Sequence, residues 1–296
     1  MKAVVIGANG YLGSHVADYL LESGAEVFAY GNKPFPWRAF SNYALLDITK
    51  RNEFEIVPED AELIFFMSGK TGTTNAYDEY QPYFNVNELG LLHLLDLLRK
   101  RSSKARLVFP STRLVYKGVK STPLGEDAEK ECKTIYAVNK WSGEQLIHQY
   151  ANYFGIQFSV FRIGVPYGNR FNASYSYGTV GFFLNRARAG DSITLYGDGS
   201  QQRTFSHIDD IVDQVVTASL NKRTCNEVFN IAGETYSLLQ VARLIADKHN
   251  VSVKTEPWPE FDLKLESGDT IFDSNKIELL LGYRIKKDFS EWIKNL

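Results

Sequence analysis

A tyrosine and a lysine four residues apart, Tyr136 and Lys140, could together transfer a proton at neutral pH. Residues with this spacing share one face of a helix. An isolated tyrosine has a pKa of about 10 and is a poor proton donor or acceptor at pH 7. A cation held within ~4–6 Å favours the phenolate and lowers that pKa by roughly 1–3 units. The pair therefore indicates acid–base chemistry by a phenol that an ammonium group has activated.

Sequence context separates this pair from others in the chain. The same spacing follows Tyr116, which lies in a predicted loop, and Tyr283, which comes directly after Leu-Gly near the C-terminus. Only Tyr136 begins a long predicted helix after a strand that ends in Ser111-Thr112. The carboxyl ends of strands in open α/β sheets are where ligands bind. A hydroxyl at this edge can donate a hydrogen bond to a substrate carbonyl oxygen.

The N-terminus has the pattern of a phosphate-binding turn. The segment GANGYLG, from Gly7 to Gly13, has GxxGxxG spacing and lies between an apolar strand and an amphipathic helix. Glycines let the backbone approach a pyrophosphate, and the N–H groups at the start of the helix can then bind it. The alternative is a glycine-rich turn without a ligand. The predicted dinucleotide contacts in this turn are Gly7, Asn9, Gly10, Tyr11, Leu12 and Gly13.

The end of the second predicted strand bears on the choice of dinucleotide. An Asp or Glu there would accept hydrogen bonds from the ribose of NAD and repel the 2′-phosphate of NADP. No carboxylate occurs between Glu26 and Asp47, whereas Asn32, Lys33 and Arg38 lie in that interval. A guanidinium suits a phosphate because it can bind two oxygens at once. This pattern favours NADP(H), leaving NAD(H) possible and leaving open that Lys33 and Arg38 are solvated loop cations.

The predicted elements around these residues alternate between strands and helices. Strands are predicted at residues 2–6, 26–30, 63–67, 106–110, 157–162 and 228–232, with helices at 12–23, 87–101, 137–154 and 180–189. Such alternation predicts βαβ units and a parallel sheet. Residues 166–180 have no period and are predicted to form a loop over a site. Asp209 is predicted to cap a helix ending near Leu220, and Ser237 with Gln240 forms a capping-box pattern.

The fold class predicted from this order is α/β, a doubly wound parallel Rossmann sheet with a smaller, interleaved C-terminal domain. Residues 1–165 would form the dinucleotide-binding domain, with 205–232 returning to it. Residues 166–204 and 233–296 would form an α/β substrate-binding domain.

Composition excludes several classes of protein. Among 296 residues, 33 are basic and 35 are acidic, giving a formal net charge of −2 without the basic surface typical of nucleic-acid binding. The two cysteines form no disulfide framework or metal-binding pattern. No apolar run approaches the ~20 residues of a membrane span, and the N-terminal apolar run is too short for a signal peptide. A cytoplasmic protein without a metal site is expected.

The whole chain resembles the extended short-chain dehydrogenase/reductase family, in its nucleotide-sugar epimerase, dehydratase and reductase branch. The motifs that carry the resemblance are GANGYLG, Asp47-Ile48, Asn87-Glu-Leu-Gly90, PSTRLVY, Tyr136-xxx-Lys140, LYGDGSQQRTFSHIDD and DSNKIELLLGY.

The resemblance implies a role for each matching residue. Thr112, Tyr136 and Lys140 look like the catalytic triplet. Asp47 and Ile48 look like the pair beside the adenine, and Asn87 like the helix asparagine near the cofactor. Ser68, Gly69 and Lys70 would run along the nicotinamide-side ribose and phosphates. The implied substrate contacts are Thr112, Arg113, Val165, Tyr196 and Arg203.

Among these contacts, Arg203 would bind the nucleotide-sugar diphosphate; the alternative is a surface ion pair with Asp209 or Asp210. Tyr196 would lie near the base or pack within the protein. Val165 occupies a position where the family often has an asparagine that contacts the substrate.

Departures from the family pattern narrow the expected reaction. The 4,6-dehydratases have Asp-Glu directly after the catalytic Thr, where this chain has Arg113 and Leu114. The 4-epimerases usually have an acidic residue where this chain has Gly31. The expected function is NADPH-dependent reduction of a nucleotide-activated 4-keto-6-deoxysugar. The alternatives are an NAD-dependent nucleotide-hexose 4-epimerase and a non-catalytic NADP-binding sensor.

The resemblance implies two partners. One is a nucleotide sugar, and the other is a second copy of the chain, bound in a homodimer through helices 87–101 and 137–154. The base of the nucleotide, the keto sugar and the stereochemistry of the product remain open.

Overall fold

A computed structural model describes residues 1–34, 40–171 and 177–296, which divide into two compact units. The first unit contains residues 1–115, 134–162 and 215–229. The second contains residues 116–133, 163–214 and 230–296.

The first unit alternates strands and helices along the chain. Its strands are β1 (Lys2–Ile6), β2 (Glu26–Gly31), β3 (Asn42–Leu45), β4 (Leu63–Phe66), β5 (Arg106–Thr112), β7 (Gln157–Ile163) and β11 (Glu227–Asn230). Its helices are α1 (Tyr11–Glu22), α2 (Tyr80–Phe84), α3 (Gly90–Lys100) and α4 (Ile135–Phe154).

These strands form a Rossmann-like sheet within the described residues, in the order β11-β7-β5-β4-β1-β2-β3. β1 pairs in parallel with both β2 and β4, and the chain order reverses between β1 and β4. Ligands bind outside the carboxyl ends of strands at such a reversal. This topology therefore places the turns after β1 and β4 at the edge of the sheet where ligands bind. The predicted α/β Rossmann fold class is confirmed.

Apolar periodicity explains why these segments fold as they do. Four of the five β1 residues are buried, as expected for a strand covered on both faces. The leucine-rich face of α3 is also buried, through Leu91, Leu94, Leu95 and Leu98. Helix α4 begins after Thr134, whose hydroxyl oxygen accepts a hydrogen bond from the N–H of Ala137 at 3.1 Å. It ends at Gly155, which has a left-handed φ of +69°.

The helix predicted at 87–101 differs from the observed one at its start. The observed helical segment begins at Tyr80, and residues Asn85–Leu89 form a π-helical turn between α2 and α3. One extra residue in this turn shifts the face that the following side chains present. Such π turns occur frequently at functional sites.

The second unit has smaller sheets. Its strands are β6 (Pro123–Leu124), β8 (Val165–Tyr167), β9 (Ile193–Tyr196), β10 (Gln202–His207), β12 (Glu234–Ser237), β13 (Val253–Glu256) and β14 (Ile271–Phe272). Its helices are α5 (Gly178–Arg188), α7 (Leu238–His249), α8 (Glu260–Leu265), α9 (Asn275–Leu281) and α10 (Phe289–Lys294). Helix α6 (Ile208–Leu220) runs from residues of the second unit into residues of the first.

In its described residues, the second unit contains a sheet of order β12-β10-β8 and the strand pairs β13-β9 and β14-β6. The capping box of α7 is confirmed, since the Ser237 and Gln240 side chains each bond the other's backbone N–H. The predicted Asp209 cap is wrong. Helix α6 already begins at Ile208, and Nδ1 of His207 accepts the N–H of Asp209 at 3.1 Å.

The aperiodic stretch 166–180 was expected to be loop throughout. It includes the end of β8 and the start of α5, and residues 172–176 lie outside the described part of the chain. No helix of the described residues combines the length and apolar character needed to cross a membrane.

Candidate active site

The glycine turn after β1 has the geometry needed to bring a ligand close to the backbone. Gly7 has a φ of +93°, and a Cβ atom there would lie 2.6 Å from the backbone nitrogen of Ser68. A Cβ at Gly13 would lie 2.2 Å from the carbonyl oxygen of Gly7. Gly10, at the start of α1, has no side chain with which to cap the helix. Tyr11 and Leu12 lie in the first turn of α1, the end of a helix at which backbone N–H groups bind anions.

A cavity of about 180 Å³ lies beside this turn at the carboxyl ends of the strands. Eight of the predicted cofactor residues line it: Gly7, Asn9, Gly10, Asn32, Asp47, Ile48, Ser68 and Gly69. The residues fit a dinucleotide, because the close glycine turn, the uncapped helix start and the cavity adjoin one another at the switch point of the sheet.

At the end of β2, the space beside Gly31 is filled by a side chain from the glycine turn. A Cβ atom at Gly31 would lie 1.6 Å from Oδ1 of Asn9, so the Asn9 amide takes the space that a side chain at 31 would occupy. The Tyr43 hydroxyl lies 2.8 Å from Oδ1 of Asn9 and 2.6 Å from the Lys33 carbonyl oxygen, and can donate to either. Nδ2 of Asn9 is buried and makes no hydrogen bond within the described chain.

The other residues predicted near the ribose lie on the surface. Asn32 lines the cavity, and the side chains of Asn32 and Lys33 are exposed. Arg38 lies outside the described residues.

Asp47 is held in place by hydrogen bonds from Thr49, two residues later in the chain. Its Oδ1 accepts the Thr49 hydroxyl at 2.7 Å and the Thr49 N–H at 3.0 Å. The hydroxyl bond is the main cause that lowers the pKa of Asp47. The carboxylate therefore stays ionised, as an acceptor at the wall of the cavity next to Ile48.

The loop after β4 is fixed by an asparagine of the π turn. Oδ1 of Asn87 accepts the N–H of Lys70 at 2.8 Å, and Nδ2 of Asn87 donates to the Lys70 carbonyl at 2.9 Å. The Lys70 ammonium instead contacts Glu79 at 2.8 Å. Asn87 thus acts on the cavity through the backbone of the loop, and this relationship depends on the register of the π turn.

Lys140 is buried beneath that loop. Its Nζ donates to the carbonyl oxygen of Pro110 at 2.8 Å and lies 4.5 Å from the centroid of the Phe109 ring. A Cβ atom at Gly69 would lie 3.6 Å from the same Nζ. Burial lowers the pKa of Lys140 to about 8, and the Glu144 carboxylate opposes that effect. Lys140 is thus fixed to the strand that carries the predicted hydroxyl, close to the cavity loop.

The other members of the triplet lie on the same two elements. Tyr136 is partly exposed in the first turn of α4, one turn before Lys140. Thr112 is the last residue of β5 and is mostly buried; its Oγ1 accepts the N–H of Leu114 at 3.3 Å. Arg113 follows at once in a short 3₁₀ turn, Arg113–Val115.

A buried charge cluster behind the triplet was missed by the sequence reasoning. Glu144 accepts the Ser111 hydroxyl and both Nε and Nη2 of Arg162, at 3.1 and 2.6 Å for the arginine atoms. Two signals could have revealed it. Glu144 is four residues after Lys140, and Arg162 interrupts an apolar strand, where a charge requires a buried partner.

The two other Tyr–Lys pairs have structural roles for their tyrosines. The Tyr116 hydroxyl donates to Oδ1 of Asn230 at 2.7 Å, and the Tyr283 hydroxyl donates to Oδ1 of Asp210 at 2.6 Å. Both rings are buried.

The remaining predicted substrate residues belong to the second unit. Val165 is buried in β8 opposite Phe205 of β10. Tyr196 is 43% exposed, and its ring centroid lies 5.5 Å from that of Trp258.

Arg203 does not present an unoccupied guanidinium. It is 1% exposed and donates to the Glu266 carboxylate and to the carbonyls of Gln202 and Gly268. The alternative of a surface ion pair with Asp209 or Asp210 is wrong, because the partner is Glu266 and the guanidinium is buried. Burial lowers the pKa of Arg203, and the Glu266 carboxylate opposes that effect.

Comparisons with known proteins identify the family of the chain. Residues 3–232 match the model of the NAD dependent epimerase/dehydratase family. An uncharacterised UDP-glucose epimerase of Bacillus subtilis is 31% identical over 83% of this chain and 82% of its own.

Two solved structures extend the similarity over nearly the full length. UDP-glucose 4-epimerase of Thermotoga maritima, solved with UDP-glucose, has a TM-score of 0.87 and 25% identity over 99% of this chain and 96% of its own. UDP-glucuronic acid 4-epimerase of Bacillus cereus, in complex with UDP-glucuronic acid and NAD, has a TM-score of 0.85 and 25% identity over 99% and 97%. The chain therefore belongs to the NAD-dependent epimerase/dehydratase family of extended short-chain dehydrogenase/reductase enzymes that act on nucleotide sugars.

Proposed function

We propose that this enzyme is an NADPH-dependent reductase of a nucleotide-activated 4-keto-6-deoxysugar. The observation that carries the proposal is the end of β2, where Gly31 has no carboxylate and the Asn9 amide lies where its Cβ atom would be. An enzyme that consumes a reduced cofactor in each turnover needs to select it from solution, and NADPH is selected by its 2′-phosphate.

The chemistry of Asn9 suits that phosphate. Its Oδ1 is directed toward the Tyr43 hydroxyl, which leaves the buried Nδ2 as a donor without a partner in the described residues. A neutral donor does not repel an anion as a carboxylate does, and Lys33 adds a cation nearby in sequence. The relative solved with NAD keeps NAD(H) as the alternative cofactor.

The triplet would carry out the reduction as follows. When bound, the nicotinamide would supply hydride to the keto carbon. Tyr136 gives its phenolic proton to the carbonyl oxygen, and Thr112 polarises that oxygen by a hydrogen bond. Lys140 would bind the nicotinamide ribose, and its ammonium, one helical turn from Tyr136, would favour the phenolate. Positioned proton transfer of this kind contributes roughly 10²–10⁴-fold to rate.

Dehydration is disfavoured by the residues after Thr112. Arg113 and Leu114 stand where the 4,6-dehydratases have the Asp-Glu pair that protonates and deprotonates the sugar. A guanidinium stays protonated at neutral pH and a leucine has no proton to exchange, so neither performs this step.

Epimerisation is the second candidate, because two similar structures solved with a nucleotide sugar are 4-epimerases. An epimerase retains its cofactor and returns the hydride to the sugar. It therefore purifies with nicotinamide bound and needs no external NADPH.

One experiment separates the two candidates. The purified enzyme is incubated with UDP-, dTDP-, GDP- and CDP-linked 4-keto-6-deoxysugars, and NADPH oxidation is followed by absorbance. A reductase consumes one NADPH per sugar reduced. Conversion between UDP-hexose epimers without added cofactor, together with no NADPH consumption on any keto sugar, would establish the epimerase instead.

We also propose that the enzyme is a homodimer formed through the helices at 80–100 and 135–154. Tyr80 and Phe84 on α2 and Val138 on α4 are exposed apolar side chains on those helices. Mass measured by light scattering tests this, with Val138→Glu expected to shift the protein toward the monomer and a monomeric wild type contradicting the proposal.

A further inference from the structure

Glu144 is a buried carboxylate on the same helical face as the catalytic pair. It follows Lys140 by four residues and Tyr136 by eight, and only 1% of it is exposed. Its two oxygens accept three donors, from the Ser111 hydroxyl and from Nε and Nη2 of Arg162. Three donors satisfy most of the hydrogen-bonding capacity of the group.

A buried ion pair is a costly way to stabilise a fold. Desolvation of the two charges can exceed their attraction, and well-packed apolar residues of similar size are often at least as stabilising. The Glu144–Arg162 pair is nonetheless placed directly behind the triplet. Such placement calls for a role in the site as well as in packing.

The position of Glu144 gives it two routes to the triplet. Through Ser111 it fixes the residue that precedes Thr112, at the end of β5. Through space it acts on Lys140, whose Nζ is held one residue earlier on the same strand, at Pro110. Helix α4 and strand β5 are thus joined at two successive residues, Pro110 and Ser111, directly before Thr112.

The charges facing Lys140 come from several elements. On its own helix are Tyr136 and Glu144, and β7 contributes Arg162, which is bound to Glu144. On the π turn, Glu88 accepts hydrogen bonds from Asn139 and Ser142, and on the cavity loop Lys70 is paired with Glu79. Of these groups, Glu144 raises the pKa of Lys140 against the effect of burial.

We propose that Glu144 is a positioning residue that keeps Lys140 protonated at neutral pH and holds Thr112 in register through Ser111. This rests on the proposed function only in assigning proton transfer to Tyr136 with Lys140. A protonated Lys140 is needed both to bind the nicotinamide ribose and to favour the phenolate of Tyr136. Arg162 offsets the cost of the buried carboxylate.

The test is the pH dependence of NADPH binding, measured by cofactor fluorescence between pH 6 and about 10. In the wild type, we expect binding to weaken as pH rises through the pKa of Lys140, and Lys140→Met identifies that inflection by abolishing it. In Glu144→Gln, the inflection moves down by about one pH unit, because an opposite charge nearby favours the charged form. Ser111→Ala is the matched control, since it removes the hydrogen bond without removing charge, and its inflection stays in place.

A second variant covers the case in which Glu144→Gln leaves Arg162 unpaired and does not fold. Glu144→Gln with Arg162→Met removes both charges, and the inflection again moves down, by less than in the single variant. Glu144→Asp, which keeps the charge, restores the wild-type inflection.

An inflection unchanged in every folded variant that lacks the Glu144 charge would overturn the proposal. The measurement needs only NADPH, so the role of Glu144 is tested independently of the sugar reaction. Failure of all keto sugars as substrates would refute the proposed function and leave this result standing.

Discussion

Oδ1 of Asn9 lies 1.6 Å from the position that a Cβ atom would occupy at Gly31. The two residues come from different turns, one after β1 and one at the end of β2, and only one of them can have a side chain in this space. Asn9 supplies it and is held there by the Tyr43 hydroxyl. A neutral amide therefore fills the space beside Gly31, where β2 has no side chain of its own.

Exchanging the two side chains should exchange the cofactor. In Asn9→Ala with Gly31→Asp, the new carboxylate accepts the ribose hydroxyls and repels the 2′-phosphate. We expect the ratio of the NADPH and NADH dissociation constants to change at least about tenfold toward NADH, equivalent to about 1.4 kcal/mol. Fluorescence titration with each cofactor measures the ratio.

The single variants provide the controls for this exchange. Asn9→Ala alone should weaken NADPH and leave NADH little changed, because only the donor to the 2′-phosphate is lost. A wild type that binds NADH more tightly than NADPH would contradict the cofactor assignment itself.

Removal of the phenolic hydroxyl should affect turnover and spare cofactor binding. In Tyr136→Phe, we expect turnover to fall by at least about 10², the lower end of what positioned proton transfer contributes. The dissociation constant for NADPH should barely change, since the ring is retained. Steady-state kinetics and cofactor titration on the same preparation check this, and near-normal turnover would remove Tyr136 from the mechanism.

Lys140 should make stability depend on pH in a defined window. Its pKa is about 8 in the folded chain and 10.5 ordinarily, so between these values the unfolded chain holds a proton that the folded chain lacks. Unfolding then takes up a proton, and the free energy of unfolding contributed by this group rises with pH across that window. Below pH 8 the buried charge costs stability, by up to about 3 kcal/mol at 1.36 kcal/mol per pKa unit.

The measurement is urea unfolding of the wild type and of Lys140→Met at several pH values. The methionine variant cannot titrate at this position, so the wild type should gain stability relative to it as pH rises from 8 to about 10. Parallel stability curves for the two proteins would mean that Lys140 is not buried as a cation.

Glu266 should compete with substrate for Arg203. If Arg203 binds the diphosphate of the nucleotide sugar, Glu266 must release it, since the two are ion-paired in this structure. Glu266→Gln should then strengthen UDP binding by about tenfold, and Arg203→Gln should weaken it by a similar factor, as charge-assisted phosphate contacts are strong. Calorimetry with UDP, and with CDP or GDP if UDP does not bind, checks both variants. Unchanged binding in Arg203→Gln would assign the guanidinium to the packing of β10 alone.

Local sequence determined the parts of this site that lie on single elements. The β1 strand, the glycine turn and α1 follow from an apolar run, residues without Cβ and helical periodicity within 22 residues. Helix α4 likewise follows from a Thr cap, a glycine stop and apolar spacing, and it fixes Tyr136 and Lys140 on one face. These are contacts between residues close in sequence, and short-range rules describe them.

Tertiary structure decided the relationships between elements. Four such relationships join residues from different segments of the chain. They are the hydrogen bonds of Asn87 to the Lys70 backbone, the Asn9 amide beside Gly31, and the ion pairs Glu144–Arg162 and Arg203–Glu266. Polar and charged side chains of these types are usually solvated, so their sequence positions alone do not identify a partner. Their partners were fixed only when packing removed them from water and made an unpaired charge or amide costly.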